Sequence, residues 1–555
     1  MPASNHAAVF FRCAGVVMHR LRRSRTRYLP PGFLVLGLVT FALPAQEPSS
    51  GYRETILAIQ QQIQAGHLDE ARLQANAALK RYTANGGLEN LLGIIAIQRG
   101  DAQEAKQDFS SAIVHDPTLV SAYLNLARIY MQSAGTIAGD RARAFELYDK
   151  AVQLDPANAE ANFEAATLLA SEHKYQLSVD HLRRLDSGAR EQIGAQALIC
   201  ADEAELGHAA AATGAAQALA ANPSLTEQDA DSVLPALRAA HRADLIDAIF
   251  AAANRRQPLS ASGVRIIGLA QEAEGQKQQA RTTLEHVFEM DPFNPDPLID
   301  LTRIALSEKD YQGALGYLAH ARSLRTDDAS LSYEFGLICL KINLLGEATR
   351  AMTEAVKQAP DNPSYNFALG TLASLAQDPS KGLPYLLKYH NLRPGDEAAV
   401  LALGAAYFRD KDFDNARKWL QRATASPVTA AEAHYYLGRI LGEENAPEKA
   451  LAELAKSNQL KPNQPEVLAQ MGSVYMQMHD FDRARHELDR ALQLDSNSYS
   501  ANFELLQLYA IRHDPGRSAQ AKKFDEIKDE NDEEYRKTMR VLEIRPLAVA
   551  ENEVQ

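Results

Sequence analysis

The sequence predicts an all-α solenoid of stacked helix–turn–helix repeats, and three observations predict it. Leu92-Gly93, Leu369-Gly370, Leu403-Gly404, Leu437-Gly438 and Met471-Gly472 are the same two-residue step, and the last four lie 34 residues apart. Twelve positions after each glycine stands a small residue: Ala105, Gly382, Ala416, Ala450 and Ala484. Apolar residues recur at helical spacing, and no alternation of Val, Ile and Thr persists over a useful length.

Set at that period, the chain divides into fourteen frames, beginning near Tyr52, Gly86, Val120, Ala159, Ile193, Glu227, Ala261, Pro295, Ala329, Pro363, Glu397, Ala431, Pro465 and Tyr499. Gly268 with Ala280 and Gly336 with Ala348 fall in the same register. In the frame from Pro465, Leu468, Met471, Gly472 and Tyr475 form one apolar stripe, and Phe481, Ala484, Leu488 and Ala491 a second. These predict a first and a second helix, with a turn at His479-Asp480. The Gly and Ala positions are where two helices approach closely, since a short interaxial distance needs short side chains. Pro117, Pro156, Pro292, Pro360, Pro394 and Pro462 end the second helices, because proline lacks an N–H and clashes with the preceding turn. The third frame carries about five extra residues near Ser133–Arg143. The frames from Ile193 and Glu227 keep the phase and lose key residues: Cys200 replaces Gly, and Ile246 replaces Ala. Distorted hairpins and a joint between two solenoid halves are both compatible with that.

This pattern resembles the tetratricopeptide repeat family. Tyr123, Leu126, Ala127 and Tyr130 followed by Ala144, Tyr148, Ala151 and Pro156 fit its motif, as do Val400, Leu403, Gly404 and Tyr407 with Ala416, Leu420 and Ala423. Half-a-tetratricopeptide repeats share this look. The resemblance covers roughly residues 52–510. It implies a right-handed superhelix whose first helices line an inner groove, and protein or peptide partners held there. The expected organisation is a signal segment over 1–45, regular repeats over 46–192, degenerate repeats or a joint over 193–260, regular repeats over 261–510, a capping helix over 511–541 and a tail over 542–555.

Net charge is −13, and becomes −19 without residues 1–45, which hold six arginines and no acid. An acidic surface repels phosphate and argues against nucleic acid as a partner. Arg20, Arg22, Arg23, Arg25 and Arg27 precede an apolar run from Gly32 to Leu43, with Ala45-Gln46 as a cleavage point and Met18 as an alternative start. This predicts export to a periplasmic or secreted location. The alternative is an uncleaved inner-membrane anchor, although the run is short for a bilayer.

No catalytic constellation stands in the chain: H-E-x-x-H, C-x-x-C, a phosphate-cradling glycine loop and G-x-S-x-G are all missing. His173 falls in a turn and His181 on a second helix, so they do not pair for a metal. Cys200 and Cys339 are about four repeats apart and read as buried structural thiols. Neither catalytic nor metal nor cofactor residues are expected. An enzyme would have room only in Ile193–Ser260, which is Ala-rich and short. The expected site is the groove face of the first helices. The residue after the first bulky position is often aromatic there, as at Phe163, Tyr333, Phe367, Tyr435 and Phe503. Four positions on stand Arg128, Arg303 and Arg439. Aromatic and arginine side chains dominate binding hot spots, and packing against the neighbouring helix is the alternative role for the aromatics. The Lys–Asn pair with which chaperone-binding relatives clamp a terminal carboxylate has no counterpart; Asn90 and Ile94 occupy those positions in the frame from Gly86. Asp525–Glu534 holds seven acids and one lysine, which suits a solvated cap. The resulting expectation is a non-enzymatic scaffold binding proteins or peptides outside the cytoplasm, with an envelope-assembly or secretion component as the alternative.

Overall fold

A computed structural model describes residues 50–133, 139–375 and 379–530. The expected signal segment and tail lie outside them, as does the part of the expected capping helix beyond Glu530. All regular secondary structure among the described residues is helical, and helices alternate as first and second members of antiparallel pairs. The chain forms two compact units, one through Gln276 and one from Lys277.

The spacing of small residues sets how each pair closes. Ala105, Ala280, Ala348, Ala416, Ala450 and Ala484 are all fully buried. A Cβ placed on Gly93, Gly336, Gly370, Gly438 or Gly472 would come within 2.5–3.0 Å of a side chain sixteen positions on, namely Phe109, Met352, Leu386, Leu454 and Leu488. The glycine is therefore the hole and the bulky residue of the second helix the knob. The Ala keeps the second backbone near, since its own carbonyl lies 3.2–3.4 Å from the same point at Gly336, Gly438 and Gly472.

The turn inside each pair repeats as strictly as the packing. Gly66, Gly100, His173, Gly207, His241, Gly275, Lys309, Asn343, Lys411, Asn445, His479 and His513 all have φ between 51° and 85°. They share one register position, and all but His513, whose helix starts at Arg517, stand directly before the residue that opens the second helix. Asp101, Asp310, Asp412 and Asp480 are the opening residues in four of these turns. Each accepts a hydrogen bond at 2.9–3.1 Å from the backbone N–H three residues on, a cap worth about 1 kcal/mol. The six prolines stand two residues past the last residue of helices ending at His115, Leu154, Met290, Gln358, Leu392 and Leu460.

In the unit through Gln276, residues 193–260 form four helices of ordinary length: Ile193–Glu205, Ala209–Ala221, Glu227–Ala239 and Ala243–Arg256. Cys200 fills the crossing position and is fully buried, and its thiol is pushed up to about 12 by burial. Pro235 lies inside the third of these helices. A sharper irregularity precedes them. The second helix of the frame from Ala159 stops after eight residues, Tyr175–Leu182, and a four-residue helix, Ser187–Arg190, follows. Asp186 caps that short helix, and Arg190 donates to the carbonyls of Arg183 and Leu185, at 2.9 Å each, left open by the break.

In the unit from Lys277, the first helices touch one another in succession: Pro363–Ser374, Glu397–Arg409, Ala430–Glu443, Pro465–Gln477 and Tyr499–Ile511. This makes a continuous layer of first helices. Helix Arg517–Glu530 packs on the last of them through Phe524 and Ile527, which are both buried.

Candidate partner-binding face

The expected site residues lie on first helices, at the fifth and ninth positions of their frames. In the unit through Gln276, this face is a closed polar ladder. Asn125 donates to the buried Asn90 at 3.0 Å, Arg128 donates to Asn125 at 2.7 Å, and Arg128 Nε donates to Glu160 at 2.6 Å. Phe163 is half-buried. It lies 3.4 Å from where a Cβ on Gly194 would stand, and packs with Leu182, Leu185 and Ala195. His181 Nδ1 donates to Asn162 Oδ1 at 3.1 Å, while His173 contacts the Tyr175 hydroxyl at 2.7 Å.

In the unit from Lys277 the same positions are arranged differently. The Tyr333 ring lies 4.7 Å from Tyr365 of the next repeat, and Phe367 4.8 Å from Tyr389. Tyr435 stands 5.4 Å from Tyr436 and borders the cluster of Ala450, Leu454, Val467 and Val474. Phe503 is 38% exposed, and its ring sits 5.5 Å from Phe524. Arg303 is paired with the buried Asp300 at 3.3 Å. The half-buried Arg439 lies over two rings, Phe408 at 4.7 Å and Tyr435 at 5.7 Å. It has no hydrogen-bond acceptor or ion pair among the described residues. Arg439 thus differs from Arg128 and Arg303, whose donors are already occupied. Cys339 is buried, with its thiol pushed up to about 11 by burial.

Three further residues of this face escaped the sequence reading. Glu164, Glu334 and Glu504 directly follow Phe163, Tyr333 and Phe503, at intervals of 170 residues, or five repeats. All three are half-buried, and burial raises each carboxyl, to about 7 at Glu164. Arg128 opposes the rise at Glu164; a hydrogen bond from Ser473 and the field of Arg439 oppose it at Glu504. At Glu334, among the described residues, the neighbouring charge that acts is Asp328, which pushes the same way as burial. The aromatic-Glu dipeptide was the available signal.

Among the described residues, no group of three His, Cys, Asp or Glu is placed to hold a metal ion, and no helix is long and apolar enough to cross a membrane.

Residues 377–428 and 441–507 match tetratricopeptide repeat families. RNA polymerase-associated protein CTR9 of Caenorhabditis elegans is 26% identical over 284 residues, covering 42% of this chain and 25% of the relative. Anaphase-promoting complex subunit 3 of Schizosaccharomyces pombe is 22% identical over 161 residues, covering 29% and 24%. The chain therefore spans about a quarter of the length of these curated relatives. Among solved structures, the APC/C hetero-tetramer Cut9-Hcn1 is similar at 16% identity and a TM-score of 0.33, covering 83% of this chain and 96% of that one. Residues 377–428 and 441–507 are therefore tetratricopeptide repeats, and the same helical pair recurs before them in the chain.

Proposed function

We propose that the chain is a non-enzymatic scaffold that holds protein or peptide partners along its layer of first helices. The observation that carries this is Arg439, fixed by Phe408 and Tyr435 with its donors unfilled. An arginine preorganised on aromatic faces loses little side-chain entropy when it grips a carboxylate. The relatives support the reading by name, one being a polymerase-associated protein and the other a complex subunit. The arginine-rich stretch before the apolar run Gly32–Leu43 supports a location outside the cytoplasm, and it equally suits a part in envelope assembly or secretion.

A photo-crosslinking amino acid at position 435, introduced into the full chain in its native cells, tests the scaffold. The expected result is one discrete adduct that Arg439→Ala removes, with none from position 421 on the exposed side of helix Phe413–Ala423. Equal adduct patterns from both positions, or none from 435, overturn it. Fractionation of the same cells tests the location.

A further inference from the structure

We propose that the first-helix face at Tyr333 and Glu334 receives a lysine or arginine side chain from a basic segment of a partner protein. This rests on the scaffold reading and names the chemistry of one contact within it.

Glu334 lies on helix Ala329–Lys341, half-buried, with no hydrogen bond or ion pair among the described residues. A carboxylate taken partly out of water without a partner costs free energy, and such groups are usually satisfied or functional. The two sister positions show what is missing. Glu164 has Arg128 in its field, and Glu504 has Arg439 and Ser473. In the register of Arg128, the helix before Glu334 carries Arg303, but Arg303 is bonded to Asp300.

Two further arginines, at the end of the preceding helix, are also engaged. Arg325 pairs with Asp296 at 2.8 Å and Asp328 at 3.6 Å, and Arg322 pairs with Glu354 at 2.8 Å. Glu334 and Asp328 together leave a negative field strong enough to help raise the Tyr365 phenol, after burial.

The neighbouring rings suit a cation. Tyr333 packs at a 37° tilt against Tyr365, with ring centroids 4.7 Å apart, and Tyr365 lies in the field of Glu334; tyrosine faces and a carboxylate both attract ammonium and guanidinium groups. The net charge of −13 steers basic partners toward the chain as a whole.

Fluorescence anisotropy of the full chain with a labelled oligolysine peptide tests this, with the fully N-acetylated peptide as the uncharged comparison. Glu334→Gln is expected to weaken oligolysine binding roughly tenfold, the size of one charge-assisted contact, and to leave the acetylated peptide unaffected. Tyr333→Leu is expected to weaken it several-fold. Glu347→Gln removes a charge of the same repeat that is already paired with Arg350, and serves as the control; it should leave affinity within about twofold. Thermal melting of Glu334→Gln should be unchanged or higher, because the buried charge is relieved.

Equal losses in Glu334→Gln and Glu347→Gln would mean attraction by bulk charge and overturn the proposal. A lowered melting temperature with unchanged affinity would make Glu334 structural and overturn it too. If the adduct at position 435 forms while oligolysine binding ignores Glu334, this contact falls and the scaffold stands. If oligolysine binding depends on Glu334 but no adduct forms, the scaffold reading falls instead.

Discussion

Gly404 and Leu420 face each other across one helical pair, and a Cβ on Gly404 would stand 2.6 Å from Leu420 Cδ2 and 3.3 Å from the Leu420 backbone nitrogen. The side chain can rotate away and the backbone cannot. Gly404→Ala gains about 1 kcal/mol of helix propensity and meets an overpacking cost of about 1–3 kcal/mol. A net loss of roughly 1 kcal/mol is expected in urea unfolding, with faster amide exchange in helices Glu397–Arg409 and Phe413–Ala423. Leu420→Ala alone opens a cavity in a fully buried place and should cost about 2–4 kcal/mol. The double variant should be more stable than the sum of the two losses predicts, and strict additivity would refute the contact.

The turn register gives a test that packing does not confuse. Gly207 has φ of 71°, and no heavy atom lies within 4 Å of where its Cβ would be. Gly207→Ala therefore reports the left-handed backbone alone and should cost about 1 kcal/mol. Lys411 holds φ of 62° at the equivalent turn, so Lys411→Gly should be neutral or stabilising by up to about 1 kcal/mol. A loss in Lys411→Gly as large as in Gly207→Ala would contradict the shared geometry.

Asn162, Asn366 and Asn502 occupy one register position and perform one task. Asn502 donates to the carbonyls of Ser496 and Ser498 at 3.1 and 2.7 Å; Asn162 and Asn366 repeat this at Pro156 and Asn158, and at Pro360 and Asn362. All are buried. At Asn502 a further link appears, because Gln520 donates to its side chain at 2.9 Å and its carbonyl at 3.1 Å, tying down helix Arg517–Glu530. Asn502→Ala should cost about 1–3 kcal/mol by removing these bonds and depriving the buried Gln520 amide of an acceptor. Limited proteolysis should then cut after residue 513 sooner than in the wild type, whereas Asn162→Ala should leave that cleavage unchanged.

What the period could reveal was steric. Leu-Gly and Ala recur because two backbones must approach, and only small residues permit it, so the pairs from Gly93 to Ala484 were legible. The left-handed turn was not. Its residue is Gly at 100 and 207, His at 173 and 479, Lys at 309 and 411, and Asn at 343 and 445, so one conformation hides behind four chemistries. The break after Leu182 was hidden by Leu185, which keeps the apolar phase while residues 183–186 turn the chain. On the candidate face, sequence marked the aromatics and arginines and missed the glutamates. A glutamate on a helix ordinarily means solvent. Only the placement of Arg303 on Asp300 shows that Glu334 has been left without a cation.

Glu164 makes the burial of that stripe measurable through pH. Its carboxyl is raised from 4.5 to about 7, chiefly by burial and then by Glu160, against Arg128. Between those values the folded chain binds more protons at this site than the unfolded chain, so stability falls as pH rises through the window. Below it the carboxyl is neutral in both states and the penalty vanishes. Glu164→Gln should therefore leave stability near pH 4 almost unchanged and raise it at pH 8 by on the order of 1 kcal/mol. Asp202, raised to about 7, and Asp108, raised to about 6, act in the same direction through burial. Some downward slope will remain in the variant. The measurement is urea unfolding across that pH range, with amide exchange in helix Ala159–Ser171 as the local report. A Glu164→Gln profile that runs parallel to the wild type, displaced equally at pH 4 and pH 8, would mean that the carboxyl is solvated and that the aromatic-Glu stripe is ordinary helix surface.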